Sequence, residues 1–165
     1  MPPKKRQHFR RQTSQRKPPE TIRHKPLGRS NNLRVIPLGG LGEVGRNMTV
    51  IEYRGRILIV DVGLRFPEED MLGIDCLIPN IEYLRGREND IEGIVITHGH
   101  LDHIGAIPYL IEKLRYPTIY TTALTAAIIK RRQDDFKNLK PLDIEIITCE
   151  SRLTLGPFSI EAIHI

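Results

Sequence analysis

The sequence has only two cysteines and no long apolar run. Cys76 and Cys149 stand far apart in a chain of 165 residues, and neither belongs to a CxxC pair. This spacing disfavours a disulfide-stabilised scaffold and a structural zinc site built on cysteines, and it fits a reducing compartment such as the cytoplasm. No run approaches the roughly 18 apolar residues of a membrane-spanning helix, so we expect no membrane partner.

Acidic and aliphatic side chains are scarce at the N-terminus. Residues 1–32 hold ten of the 25 Lys and Arg but one acidic residue, Glu20, and five prolines lie among the first 26 positions. Such a segment cannot bury enough apolar surface to offset the entropy of ordering, so we predict a disordered basic tail over 1–32. The tail either gathers RNA phosphates or simply aids solubility. It lacks the apolar core of a secretory signal, and its prolines oppose the amphipathic helix of an organellar transit peptide.

Residues 33–165 have a different character, with a net charge of −4 against +9 for the tail. Alternating and apolar runs predict strands at 33–38, 48–53, 57–61, 91–97, 118–121, 143–149, 153–155 and 158–165. Helical spacing predicts helices at 103–114 and 122–139, the second burying Leu124, Ala127 and Ile128, while 62–80 is predicted as a loop. Strands followed by strand–helix alternation indicate an α/β layered domain. Because the last strand is unfinished, we expect 33–165 to be only the N-terminal part of that domain.

A glycine motif follows the first predicted strand. Gly40, Gly42 and Gly45 have the GxGxxG spacing of dinucleotide-binding folds, and Asp61 lies at about the expected distance beyond them. That motif needs its third glycine to open a helix whose N-terminus faces the pyrophosphate. Residues 46–61 instead alternate as β-structure and break in their middle. We therefore interpret the glycines as a tight loop between two strands that approaches a neighbouring site.

Three histidines and an aspartate follow the predicted strand 91–97. His98, His100, Asp102 and His103 form an H-x-H-x-D-H sequence. Neutral imidazoles with a carboxylate suit zinc or a similar metal, and two ligand pairs can serve two metals about 3.5–4 Å apart. The alternative is a polar helix cap with incidental histidines, but the clustering favours metal binding. Four ligands do not complete two metal shells, and the remaining histidines are poor candidates: His8, His24 and His164.

The motif at 97–103 resembles the signature of the metallo-β-lactamase superfamily. Its surroundings at 38–47, 61–63, 66–75, 78–80 and 104–110 resemble the ribonuclease J family of the β-CASP branch, from about residue 34 to the end. The resemblance implies an αββα sandwich of which this chain is the N-terminal part. It also implies two Zn²⁺ ions per active site, the first on His98 and His100 and the second on Asp102 and His103. The last two residues would also act in catalysis.

The resemblance assigns further residues outside the motif. Asp61 would orient metal ligands, and its alternative role is a strand-end cap. Gly73 and Asp75 match a loop that binds a structural cation, such as Ca²⁺, in some relatives, although a turn-stabilising aspartate explains Asp75 equally well. A His-Ser-Ile-Pro-Asp type segment, the remaining zinc ligands and the β-CASP domain that grips RNA would follow residue 165. His164 would then lie in the strand before them.

The resemblance implies a zinc-dependent ribonuclease, a cytoplasmic 5′→3′ exonuclease and endonuclease of RNA processing and decay, including ribosomal RNA. The full-length protein would be a homo-oligomer. Two alternatives stay open: a hydrolase of a small ester or thioester with the same fold, and a non-catalytic module whose tail binds RNA. Since residues 1–165 would hold only part of the catalytic domain, we expect the chain alone to bind metal weakly and to be inactive.

Overall fold

The architecture is a mixed six-stranded sheet with a separate hairpin. The computed structural model describes residues 31–163, so the predicted tail, apart from its last two residues, and His164 lie outside the described residues. In the large sheet the spatial order of the strands equals their chain order, with β1 to β3 antiparallel and β3 to β6 parallel. The strands are β1 (Arg34–Gly39), β2 (Met48–Tyr53), β3 (Arg56–Val60), β4 (Ile91–Val95), β5 (Ile119–Thr121) and β6 (Ile144–Ile146). The antiparallel hairpin pairs β7 (Arg152–Leu155) with β8 (Phe158–Glu161).

The helices are shorter than their sequence periods predict. They are α1 (Leu101–Ile104), α2 (Ile107–Leu110) and α3 (Ala123–Gln133), with 3₁₀ turns at Glu82–Leu84 and Glu88–Asp90. The predicted helix 103–114 is thus broken at Gly105, where a Cβ atom would lie 2.4 Å from both the Leu101 carbonyl oxygen and Leu64 Cγ. The next backbone N–H, that of Ala106, donates to the Val62 carbonyl at 2.9 Å instead of to the preceding helical turn, so the helix is interrupted there.

The predicted apolar face of α3 is wrong. Thr125, Ala126 and Ile129 are buried, whereas Leu124 is 74% exposed and Ile128 is also on the exposed side. Ala127, the third residue of the predicted face, is exposed as well. The helix packs against the loop after β4, where a Cβ atom on Gly99 would lie 2.8 Å from Ile128 Cδ1 and 3.7 Å from Thr125 Cα. The count of apolar side chains along the helix therefore does not indicate which face is buried.

The sheet has two apolar faces. Ile57, Ile59 and Ile94 belong to the same buried cluster as Ile107 and Leu110 of α2. The alternate strand residues, such as Leu58, Val60 and Val95, face the other way. They line one side of a groove whose other side is formed by the β7–β8 hairpin. This alternation gives a helical layer, a six-stranded sheet and the beginning of a second sheet, in agreement with the predicted α/β layers.

A buried carboxylate lies at the edge of the sheet where β3 begins. Glu52 pairs with Ile57 across the β2–β3 ladder and is 5% exposed. Arg87 contacts both carboxylate oxygens at 3.0 Å, Arg34 approaches at 3.5 Å, and the Tyr83 hydroxyl donates to the same carboxylate. Burial raises the pKa of Glu52, but the hydrogen bonds from Arg87 and Tyr83 outweigh it and hold the pKa below its ordinary value.

Candidate active site at the carboxyl edge of the sheet

Two loops meet at the opposite edge of the sheet because β3 and β4 are parallel neighbours. Segment 61–64 follows β3 and segment 97–103 follows β4. The backbone N–H of Val62 donates to the His103 carbonyl at 2.8 Å, and that of Leu64 donates to the Leu101 carbonyl at 3.1 Å. A Cβ atom on Gly63 would lie 1.5 Å from the Asp102 carbonyl oxygen, so only glycine allows this contact. The loop carrying the histidines is therefore held by the backbone of its neighbour.

Asp61 ties these loops together through its side chain. It is 5% exposed and has a positive φ of 62°, a backbone conformation that non-glycine residues rarely adopt. Its carboxylate accepts from the Thr97 N–H at 2.9 Å and from the Thr97 hydroxyl at 3.0 Å. His103 Nδ1 lies 2.8 Å from the other carboxylate oxygen. Since an ionised carboxylate only accepts, Nδ1 of a neutral His103 carries the proton and Nε2 keeps its lone pair.

His98 and His100 form the outer, exposed pair of the site. His98 Nε2 lies 3.2 Å from His100 Nδ1, and the two rings meet edge to face with centroids 4.7 Å apart. Burial, and then the neighbouring His103 and His100 rings, lower the pKa of His98. A lowered pKa keeps the imidazole neutral at pH 7, which is the form that binds metals.

Asp102 and His103 form the inner, half-buried pair. Asp102 Oδ2 lies 3.3 Å from His103 Nε2. The side-chain nitrogen of Asn47 lies 3.2 Å from each of these two atoms. All four predicted residues of the H-x-H-x-D-H motif, together with Asp61, are thus brought to one place.

Sequence reasoning assigned no role to Asn47 or Thr97, although both contact the predicted site residues. Asn47 ends the glycine loop that joins β1 to β2, so the interpretation of that loop as a strand-to-strand turn near a site is confirmed. The only available signal was position: Asn47 follows the third glycine, and Thr97 immediately precedes the first histidine. No helix follows the glycine motif, which excludes the dinucleotide-binding arrangement.

The spacing of the two pairs fits zinc ligation. Two ligand atoms of a tetrahedral zinc ion about 2.0–2.1 Å away lie about 3.3 Å apart. The His98–His100 nitrogens are 3.2 Å apart and the Asp102–His103 atoms 3.3 Å apart. Over residues 31–163 no group of three or more His, Cys, Asp or Glu side chains is arranged to hold a metal ion. The described residues therefore offer ligands in pairs.

The predicted structural-cation residues lie elsewhere, in the 62–80 loop. Gly73 has a positive φ of 78°, and Asp75 is exposed. A turn-stabilising role for this segment and a cation site both remain predictions.

Comparison with known proteins places the chain in a family. The sequence profile of the metallo-beta-lactamase superfamily matches residues 41–164. The chain belongs to this superfamily. It is 41% identical to ribonuclease J of Helicobacter pylori (strain ATCC 700392 / 26695) over 140 residues, which cover 84% of this chain and 20% of the relative. It is 42% identical to ribonuclease J2 of Bacillus subtilis (strain 168) over 125 residues, 76% of this chain and 22% of the relative.

These matches confirm the predicted resemblance: the chain is a ribonuclease J homologue of the metallo-beta-lactamase superfamily. It spans about a fifth of the length of these curated relatives. A solved structure of a diphosphatase from the PhnP family superimposes with a TM-score of 0.52 at 18% identity, covering 77% of this chain and 55% of that chain. This likeness and the profile match confirm a partial metallo-β-lactamase α/β fold. Among residues 31–163, no helix is long and apolar enough to cross a membrane.

Proposed function

We propose that this chain supplies part of the active site of a metal-dependent ribonuclease that hydrolyses RNA phosphodiester bonds. The observation that carries the proposal is the pairing of His98 with His100 and of Asp102 with His103 at the spacing of zinc ligands. The identity of about 41% to ribonuclease J supports RNA as the substrate. The finer activity that we propose is 5′→3′ exonuclease and endonuclease cleavage, in the cytoplasm.

In this proposal some residues of the chain would bind metal ions, and others would orient the rings of the metal ligands. His98 and His100 would hold the first zinc ion, and Asp102 and His103 the second. When bound, such ions supply Lewis acidity and a water of lowered pKa. Asp61 would fix the ring of His103 by accepting a hydrogen bond from its Nδ1–H, which leaves the Nε2 lone pair for the metal.

Thr97 would orient the ring of His98 in the outer pair. Its hydroxyl donates to Asp61, so the hydroxyl lone pairs are available to the Nδ1–H of His98, 3.0 Å away. That tautomer leaves His98 Nε2 free for a metal, next to Nδ1 of His100. RNA is the proposed partner, with the basic residues of the tail contributing phosphate contacts.

Metal binding by the purified 165-residue chain tests the proposal. We expect weak Zn²⁺ and Co²⁺ binding, measured by cobalt absorption and by equilibrium dialysis, because the described ligands form pairs only. The double variant His98→Ala/His100→Ala should lose most of this binding, whereas the matched double variant His8→Ala/His24→Ala in the tail should keep it. Equal binding by both double variants would contradict the proposal.

Substrate assays distinguish the proposed activity from its alternatives. With 5′-monophosphorylated RNA we expect no zinc-dependent cleavage by the chain alone, since two metal shells need further ligands. Robust cleavage would contradict that expectation about the number of ligands. Hydrolysis of a small ester or thioester would instead favour the second enzymatic alternative.

A further inference from the structure

Asn47 is joined to the inner pair by four contacts across 55 residues of sequence. Its backbone N–H donates to the Asp102 carbonyl at 3.0 Å, and its side-chain nitrogen donates to the same carbonyl at 3.1 Å. The same side-chain nitrogen lies 3.2 Å from Asp102 Oδ2 and 3.2 Å from His103 Nε2. Asn47 is thus hydrogen-bonded to both the backbone and the side chain of Asp102.

The orientation of this amide is determined by chemistry. The Asp102 carbonyl and carboxylate oxygens can only accept hydrogen bonds. His103 Nε2 bears a lone pair because the ring proton is on Nδ1, which donates a hydrogen bond to Asp61. An amide turned the other way would place its oxygen against three acceptors. The Asn47 NH₂ group therefore lies between the two atoms proposed to bind the second zinc ion.

The glycine loop between β1 and β2 packs closely around the Asn47 amide. Gly40 has a positive φ of 80°, and a Cβ atom on it would lie 2.4 Å from Asn47 Oδ1. The carboxylate of Glu43 accepts from the Gly40 N–H at 3.1 Å and from Arg46 Nε at 3.0 Å, which ties the start of the loop to its end. The glycine at position 40 thus provides the space that the amide oxygen needs.

We propose that Asn47 is a positioning residue for the inner pair. Its amide N–H groups hold the backbone carbonyl and the carboxylate of Asp102, which fixes Asp102 beside His103, and Gly40 keeps the amide in place. A bound cation would take the lone pair of His103 Nε2, so the contact of Asn47 with that atom belongs to the metal-free site. The inference rests on the proposed metal-binding function of Asp102 and His103. Loss of a partner that orients metal ligands lowers metal affinity by about 10–100-fold.

The test is a cobalt titration of the 165-residue chain and three variants. Asn47→Ala removes the amide, and Gly40→Ala leaves it chemically intact but displaces its oxygen. Both should weaken Co²⁺ binding by about 10–100-fold and change the shape of the visible d–d bands, because the inner ligands lose their fixed geometry. The matched control is Asn80→Ala, which removes an exposed asparagine that caps Glu82 and should leave the titration unchanged.

A second readout needs no added metal. Long-range ¹H–¹⁵N NMR of the histidine rings should show His103 protonated at Nδ1 in the wild-type chain. In Asn47→Ala and Gly40→Ala the Nε2 resonance should move toward the value of a free ring nitrogen, since its hydrogen-bond partner is gone or displaced. In Asn80→Ala the resonance should stay where it is. Circular dichroism of each variant shows that the fold is retained.

The outcomes separate the inference from the function it rests on. If the wild-type chain binds Co²⁺ and Asn47→Ala binds it equally well with the same bands, Asn47 has no positioning role, and the metal site stands. If the wild-type chain shows no cobalt bands at all, the proposed metal site fails and the inference fails with it. Weaker binding by both Asn47→Ala and Gly40→Ala, beside an unchanged Asn80→Ala, supports the inference.

Discussion

The two edges of the large sheet carry polar clusters of opposite kinds. At the edge where β3 begins, Glu52 is buried and contacted by Arg34, Arg87 and the Tyr83 hydroxyl. Both of its oxygens receive charged donors, so the cluster is internally satisfied. Such an arrangement serves the fold, because a buried carboxylate is tolerated only when it is paired.

At the carboxyl edge the buried carboxylate, Asp61, is only the innermost part of the cluster. Asp61 is saturated by Thr97 and His103, but His98 and His100 above it are exposed, and their ring nitrogens face each other. Atoms with lone pairs brought together at the surface are poor partners for one another and good partners for a cation. The difference is that the first cluster is saturated within the protein, whereas the second leaves ring nitrogens exposed. We call the first the closed edge and the second, where we propose metal binding, the binding edge.

The largest expected loss of stability comes from removing Glu52 at the closed edge. Glu52→Ala removes the buried carboxylate that Arg87 and Tyr83 contact and should lower the free energy of unfolding by about 2–4 kcal/mol. Urea denaturation followed by circular dichroism measures this, and Co²⁺ binding by the folded variant should be unchanged. The control is Glu82→Ala, which removes an exposed pair with Arg85 and should cost less than about 0.5 kcal/mol. Equal losses in the two variants would show that the Glu52 cluster does not stabilise the fold.

Substitution of Asp61 at the binding edge should cost less stability than loss of Glu52, but it should also lower the affinity for Co²⁺. Asp61→Asn keeps the shape of the side chain but cannot accept every hydrogen bond from Thr97 and His103. We expect a loss of about 1–3 kcal/mol of stability together with a loss of about 10–100-fold in Co²⁺ affinity. A loss of stability without any change in cobalt affinity would mean that Asp61 acts only as a strand-end cap.

The smallest effect is a pH dependence confined to the closed edge. The folded-state pKa of Glu52 lies below its ordinary value of 4.5, so its stabilisation is fully present above that value and is lost as pH falls through the folded pKa. The stability advantage of the wild-type chain over Glu52→Gln should therefore be constant between pH 5 and 7 and should shrink below about pH 4.5. Urea titrations of both proteins across this range measure the difference. An advantage that grows on acidification would have the wrong sign.

The predictions from sequence succeeded where local periodicity or chemistry carries the information. The strands form where the alternating runs predicted them. The residues of the H-x-H-x-D-H motif lie together, as their adjacency in the chain indicates, and their metal binding stays a prediction. The predicted rotation of α3 was wrong because the helix buries Thr125, Ala126 and Ile129 and leaves Leu124 exposed, while Ile128 packs over Gly99 in another loop. Helical spacing alone does not reveal which side of a helix meets a neighbouring loop.

Contacts between distant parts of the chain account for the missed site residues. The antiparallel pairing of β2 with β3 places Asn47 beside the end of β3, and the parallel pairing of β3 with β4 brings residues 101–103 to the same edge. Asn47 meets Asp102 and His103 there. The same long-range packing breaks the predicted helix at Gly105, which lies against Leu64. No single stretch of sequence contains these relations.

The contact between Gly63 and the Asp102 carbonyl has a consequence for protein engineering. The histidine loop takes its shape from hydrogen bonds with the 61–64 segment and Asn47, so residues 97–103 transplanted alone into another scaffold would lose that shape. A graft would have to carry three separate segments and keep a glycine opposite the Asp102 carbonyl. The smallest portable version of this site is thus a small discontinuous assembly rather than a peptide.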